Sequence, residues 1–313
     1  MKNYLSLVKF SHTLFALPFA MIGFALGITK LRESANNNSL IDSFHPALLK
    51  HVYQNHPLAF IMLYKLILVL ICMVTARNAA MAFNRYIDRK YDERNPRTAI
   101  REIPSGIITP KNALGFVIIN CLIFIVATYF INPLCFYLSF VALAVILGYS
   151  LTKRFTFLCH LILGVGLALA PIGAYLAVTA KFDIIPLFFS FAVFFWVSGF
   201  DILYALQDEQ FDKENQLFSI PAYFGQDKAK WISRTLHFCS FLCLLIVGIF
   251  YPFGWLYWIG FAIFTALLIY QHSLVIRFGL QKIDLAFFTT NGIASVLFSL
   301  FVILDLLRKN NIS

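Results

Sequence analysis

Nine stretches of roughly 20 mainly apolar residues, each long enough to cross a bilayer as a helix, set the terms for this 313-residue chain. They fall near residues 10–29, 58–81, 113–131, 134–152, 157–179, 184–206, 236–253, 255–275 and 286–307. Composition agrees that lipid is the solvent: 60% of residues are apolar and 13% charged, where a soluble domain carries about 25% charged residues. Mean hydropathy is +0.78. The first stretch follows Lys2 and Lys9, as a signal peptide would, but it is too long and no clean small-residue cleavage site follows, so it reads as the first helix. The expectation is an all-α, polytopic membrane protein, a bundle of about nine transmembrane helices forming a single domain over 1–313.

The net charge of +10 would raise nucleic acid as a partner in a soluble protein. Here the cations crowd short loops between apolar runs, which instead indicates orientation and an anionic substrate. With the N-terminus inside, most Lys and Arg side chains fall on inner segments, among them Arg85, Arg89, Lys90, Arg94, Arg97, Arg101, Lys111, Lys153 and Arg154. The N-terminus and the loops after the second, fourth, sixth and eighth spans are therefore expected on the cytoplasmic side of the inner membrane. The six Cys lie inside apolar runs without C-x-x-C spacing, so neither a disulfide framework nor a zinc site is indicated. His45, His51 and His56 in the polar loop 30–57 read as solvated side chains rather than metal ligands.

The second span runs into Asn84-x-x-x-Asp88-x-x-x-Asp92. On a helix these three share one face, with neighbours about 6 Å apart. Two carboxylates at that spacing beside a membrane need compensation. The nearby cations Arg85, Arg89 and Lys90 would make a surface ion-pair lattice; alternatively a Mg²⁺ ion would take one or two carboxylates and complete its shell with water and phosphate oxygens.

The sixth span ends in Asp201-x-x-Tyr204-Ala-x-x-Asp208-x-x-x-Asp212, again spaced for one helix face. Asp201 follows a run rich in Phe, Trp and Val, and an ionisable residue at such depth is a functional candidate. Two D-x-x-x-D pairs thus end helices on the same membrane side, and such a cluster calls for an anion as well as a metal. Cations for that anion are at hand. Arg77 precedes Asn84 deeper in the same run, Lys153 and Arg154 end the fourth span after Tyr149, and Arg97 and Arg101 lie in a loop bracketed by Pro96, Pro104 and Gly106. Arginine binds phosphate oxygens bidentately.

At these positions the chain resembles the UbiA superfamily of intramembrane prenyltransferases. The matching pieces are Arg77 with Asn84-x-x-x-Asp88-x-x-x-Asp92, then Arg97-Thr98-x-x-Arg101-x-x-Pro104-Ser105-Gly106, Tyr149-x-x-x-Lys153-Arg154, and the Asp201–Asp212 string. Within the superfamily it is most similar to the 4-hydroxybenzoate polyprenyltransferase group. The resemblance implies that Asn84, Asp88, Asp92, Asp208 and Asp212 hold Mg²⁺ on a polyprenyl diphosphate. It further implies that Arg77, Arg97, Arg101, Lys153 and Arg154 grip the diphosphate. Tyr149 and Tyr204 would contact substrate, and Asp201 would act catalytically beside an aromatic acid acceptor. Position 85 departs from the pattern: many members have Asp where this chain has Arg85, which removes it from any metal role.

The activity so implied is Mg²⁺-dependent transfer of a polyprenyl group to 4-hydroxybenzoate in respiratory quinone biosynthesis. Prenylation of a dihydroxynaphthoate on a route to menaquinone is the alternative acceptor reading. A cation-coupled transporter is the rival of another class, but it calls for ionisable groups at mid-membrane in several helices, whereas here they gather at one face. A CDP-alcohol phosphotransferase would need a D-x-x-D-G-x-x-A-R run, which is absent.

Overall fold

The computed structural model describes residues 2–8, 16–33 and 58–310. The start of the first expected span and the three loop histidines lie outside these. Among the described residues the structure is helical throughout: α1 (Lys2–Leu7), α2 (Leu17–Glu33), α3 (Leu58–Arg94), α4 (Pro110–Ile131), α5 (Pro133–Thr152), α6 (Cys159–Thr179), α7 (Ile184–Ala205), α8 (Glu209–Glu214), α9 (Ile220–Phe224), α10 (Gln226–Phe250), α11 (Trp255–Phe278) and α12 (Thr290–Asn310). Eight of the described helical segments are long and apolar enough to cross a membrane. They correspond to the second through ninth expected spans, and α2 adds 17 residues of the first. Large side chains such as Ile119, Leu122 and Val126 on α4 remain exposed, as lipid rather than water requires. This is an integral, multi-pass membrane protein.

Two packed regions organise the bundle. One is aromatic: Phe19 of α2, Trp196 of α7, Phe264 of α11 and Phe298 of α12 meet with ring centroids 5.3–6.3 Å from Phe19. The other joins α2, α3, α4, α5 and α6 through Phe24, Val69, Phe124, Leu143 and Val178. Small residues permit the closest crossing. A Cβ on Gly23 would lie 1.9 Å from the Pro171 carbonyl oxygen, so α2 touches the α6 backbone there.

Buried polar groups in this interior are tied to backbone. The last carbonyls of a helix are under-satisfied, and those near the end of α6 receive side chains from α3 and from the α4–α5 junction. Lys65 Nζ donates to Ala177 O at 2.9 Å, and Asn132 Nδ2 donates to Leu176 O at 2.8 Å. This accounts for a lysine within an apolar span.

Two helix ends matter for the site, the first as expected and the second not. At 1.5 Å per residue, the 37 residues of α3 span roughly 55 Å, well beyond a hydrocarbon core of about 30 Å. The helix therefore carries Asn84, Asp88 and Asp92 past the apolar layer without a break. The Asp201–Asp212 string, by contrast, is not one helix. α7 stops at Ala205, a 3₁₀ turn takes Leu206–Asp208, and α8 carries Asp212. The tighter 3₁₀ turn redirects the chain as it enters α8, so a single continuous face over these four residues does not form.

Candidate active site

Both acidic patches nevertheless face one cavity of about 200 Å³ at one end of the bundle. Asn84, Asp88 and Asp92 reach it from α3, Asp208 from the 3₁₀ turn and Asp212 from α8. Arg97, Arg101, Lys153, Arg154 and Tyr204 line it as well. Four carboxylates thus confront four cations, and each carboxylate has its own partner. Arg154 Nη2 lies 2.8 Å from Asp88 Oδ1, Arg101 Nη1 2.6 Å from Asp92 Oδ1, Arg97 Nη2 2.6 Å from Asp208 Oδ2, and Lys153 Nζ 2.7 Å from Asp212 Oδ1. All four pairs join residues from different parts of the chain or turn it back on itself, so they hold the cavity walls together.

Local chemistry explains the loop that delivers the two arginines. Asn95 Oδ1 accepts from Arg97 N at 3.0 Å, an Asx turn, and Thr98 Oγ1 donates to Asp92 O at 3.1 Å. Ile103 and Ile108 are buried against Ala79, Ala82 and Val117, anchoring the loop to α3 and α4. Gly106, at φ 77°, supplies the left-handed residue the turn needs. Arg97 then grips Asp208 bidentately, Nε to Oδ1 at 3.2 Å alongside the Nη2 contact, while its Nη1 donates to Tyr204 Oη at 3.3 Å. Burial lowers the Arg97 pKa, but Asp208 and then Tyr204 outweigh it, leaving the guanidinium above its ordinary value. Lys153 behaves alike: burial pulls it down, and Asp212 more than restores it. Both cations stay charged at any physiological pH.

Several residues of the cavity were not legible from motifs. Tyr91, Asn95, Thr98, Phe211 and Leu217 line it, and Asn95 Nδ2 donates to Asp208 Oδ1 at 3.3 Å. Asn95 could have been suspected from its place before Pro96, and Thr98 from its place in the Arg97–Arg101 string; Tyr91, Phe211 and Leu217 carry no sequence signal. Phe287 lies outside the cavity lining but supports it. A π-helical turn over Leu285–Thr289 brings its ring onto Tyr204, with centroids 4.2 Å apart. Such turns recur at functional sites.

Three expected site residues stand apart from this cavity. Arg77 and Tyr149 line a second, apolar chamber of about 360 Å³ between α3, α4, α5 and α6, together with Ala76, Phe124, Ala142 and Gly166. Met81, one turn short of Asn84 on α3, belongs to the same chamber. The charged cavity and the apolar chamber are therefore stacked along one helix. Asp201 lines neither, and its carboxylate Oδ2 is 2.6 Å from His160 Nδ1 of α6.

The donor set suits a hard divalent cation: carboxylates and the Asn84 amide, with Asp92 Oδ2 buried and unpartnered. Among the described residues no three His, Cys, Asp or Glu side chains cluster tightly enough to enclose a metal by themselves. Mg²⁺ does not demand such a cage, since it is normally held by one or two carboxylates plus substrate phosphates and water.

Fold and cavities together define the class: an all-helical membrane protein that stacks a carboxylate–guanidinium cavity on an apolar chamber. Similarity to known proteins places it more closely. The model of the UbiA prenyltransferase family matches residues 54–293, and the chain belongs to that family, which makes it a transferase. It is similar to the 4-hydroxybenzoate octaprenyltransferase of Francisella tularensis subsp. tularensis, 28% identical over 244 residues, covering 78% of this chain and 84% of that protein. The Aeromonas hydrophila enzyme of the same name is 28% identical over 237 residues, covering 76% of this chain and 82% of its own. Among solved structures, the apo UbiA homologue of Aeropyrum pernix K1 superposes with a TM-score of 0.76 at 25% identity, covering 94% of this chain and 98% of that one. A UbiA homologue from Archaeoglobus fulgidus, solved with GPP and Mg²⁺, has the same fold at 20% identity, a TM-score of 0.68, and coverage of 97% and 99%.

Proposed function

We propose that the enzyme transfers a polyprenyl group from a polyprenyl diphosphate to an aromatic acid, 4-hydroxybenzoate first among acceptors, in respiratory quinone biosynthesis. Mg²⁺ assists, and the charged cavity faces the cytoplasm. The observation that carries the reading is the stacking of the two cavities on α3, because it matches the two ends of one substrate. The charged cavity takes the diphosphate and the chamber takes the first isoprene units.

Arg97, Arg101, Lys153 and Arg154 are each paired with a carboxylate. A diphosphate draws these cations onto its oxygens, which frees Asp88, Asp92, Asp208 and Asp212, with Asn84, to hold Mg²⁺. When bound, the metal supplies Lewis-acid neutralisation of the departing diphosphate. Removing water from the allylic carbon falls to the chamber walls. Arg77 faces this chamber with its Nε buried and unpartnered. A guanidinium in an apolar wall suits the acceptor's carboxylate, which enters the chamber, better than a diphosphate held in the neighbouring cavity. Tyr149, in the same wall, orients the ring. As the ring carbon bonds to the allylic carbon and the C–O bond to diphosphate breaks, Asp201 takes the ring proton. A dihydroxynaphthoate offers the same acid-and-phenol pattern and is the second acceptor to test.

The test uses purified protein in lipid nanodiscs with Mg²⁺, a prenyl diphosphate and each acid in turn. Diphosphate release and a C-prenylated product of the right mass are expected with one acid, and EDTA abolishes both. Full activity in Asp88→Ala and in Asp208→Ala would sink the assignment.

A further inference from the structure

Among the described residues, His160 is a buried histidine bonded to Asp201, the carboxylate proposed above to take the ring proton, and that function does not use it. It lies in the first turn of α6, 4% exposed, with Nδ1 2.6 Å from Asp201 Oδ2. Its other nitrogen, Nε2, is buried without a partner. Buried polar atoms are nearly always satisfied, and a histidine serving only to knit helices would bond through both nitrogens. Here the contact that leads out of α6 is the one to the carboxylate. The pair also has an inner and an outer side. The His160 side chain is 5% exposed and that of Asp201 23%, so the imidazole backs the carboxylate and leaves its accessible side open.

We propose that His160 is a positioning residue for Asp201: its Nδ1–H fixes Oδ2, so that the remaining carboxylate oxygen is held toward the aromatic acceptor. An aspartate side chain without that bond would turn among its rotamers, and its reach to the ring proton would vary by an ångström or more. Misplacement on that scale costs on the order of 100-fold in rate. The inference rests on the proposed prenyl transfer, with Asp201 beside the acceptor.

The experiment compares His160→Leu, His160→Asn, Asp201→Asn and the double variant His160→Leu/Asp201→Asn in nanodiscs. Asparagine keeps an N–H donor near the place of Nδ1; leucine removes it while filling the space. Leucine is expected to lower kcat with saturating acid by roughly 10- to 100-fold, with KM for the prenyl diphosphate and the thermal midpoint little changed. Asparagine restores most of the rate, and the double variant is no slower than Asp201→Asn, because a residue acting through another adds nothing once that other is gone. Calorimetric titration with a non-reacting prenyl thiodiphosphate and Mg²⁺ verifies folding of each variant. Should leucine prevent folding, asparagine at wild-type rate beside His160→Gln at a reduced one still supports the proposal, since glutamine's donor lies nearer the place of Nε2. Wild-type kcat in the leucine variant, no rescue by asparagine, or multiplicative losses in the double variant would overturn it. A wild-type enzyme that prenylates neither acid overturns the proposed function itself, whereas an active wild type indifferent to His160 overturns this inference alone.

Discussion

Replacing Lys153 by methionine separates what the cavity does for stability from what it does for chemistry. Lys153 Nζ lies 2.7 Å from Asp212 Oδ1, and the Asp212 side chain is fully buried while that of Lys153 is 32% exposed. Asp212 keeps one other bond, accepted by Oδ2 from Ser219 Oγ at 2.8 Å. Removing one partner of a buried pair costs about 3–5 kcal/mol, because the other charge is left uncompensated. The partial exposure of Lys153 and the surviving Ser219 bond reduce this to about 2–3 kcal/mol. For a chain of this size that is a fall of roughly 3–5 °C in thermal midpoint. The double variant Lys153→Met/Asp212→Asn removes both charges and is expected within about 1 kcal/mol of wild type, since a neutral pair carries no unpaired buried ion. Prenyl transfer, however, should stay low in both variants, because the diphosphate loses a cation and the metal a carboxylate. Thermal unfolding in detergent, followed by tryptophan fluorescence, gives the first quantity, and product formation gives the second. A double variant as unstable as Lys153→Met, or a Lys153→Met midpoint equal to wild type, would refute the account of the pair.

Packing yields two further expected outcomes. Gly23→Ala places a Cβ within 1.9 Å of Pro171 O; overpacking typically costs about 1–3 kcal/mol, and backbone yields less readily than side chains. A midpoint lower by several degrees is expected, and an unchanged one would contradict the α2–α6 contact. Ala142→Trp adds bulk to the apolar chamber. It should raise KM for geranyl and longer polyprenyl diphosphates alike by about tenfold, equivalent to about 1.4 kcal/mol. An unchanged KM for both would argue that the tail lies elsewhere.

Residue order alone sets the solvent, the helices and the charged strings that meet at the cavity. Apolar runs of membrane length fix the spans because every backbone group in lipid must bond within its own helix. Spacings of four fix Asn84, Asp88 and Asp92 on one face because a helix repeats every 3.6 residues. Pro96, Pro104 and Gly106 mark a shaped loop for Arg97 and Arg101, and the Asx turn and buried Ile103 and Ile108 are what shape it. Periodicity governs neighbours along one helix only. It carries no information on how helices rotate against each other, which large side-chain contacts across the bundle decide. Tertiary structure alone paired Lys153 with Asp212 and Arg154 with Asp88. It broke the Asp201–Asp212 string with a 3₁₀ turn yet kept Asp208 and Asp212 on the cavity. It also turned Arg77 and Tyr149 into the apolar chamber and set His160 behind Asp201. Those placements join residues 41 to 66 positions apart in the chain, a separation at which only packing, not local pattern, brings side chains together.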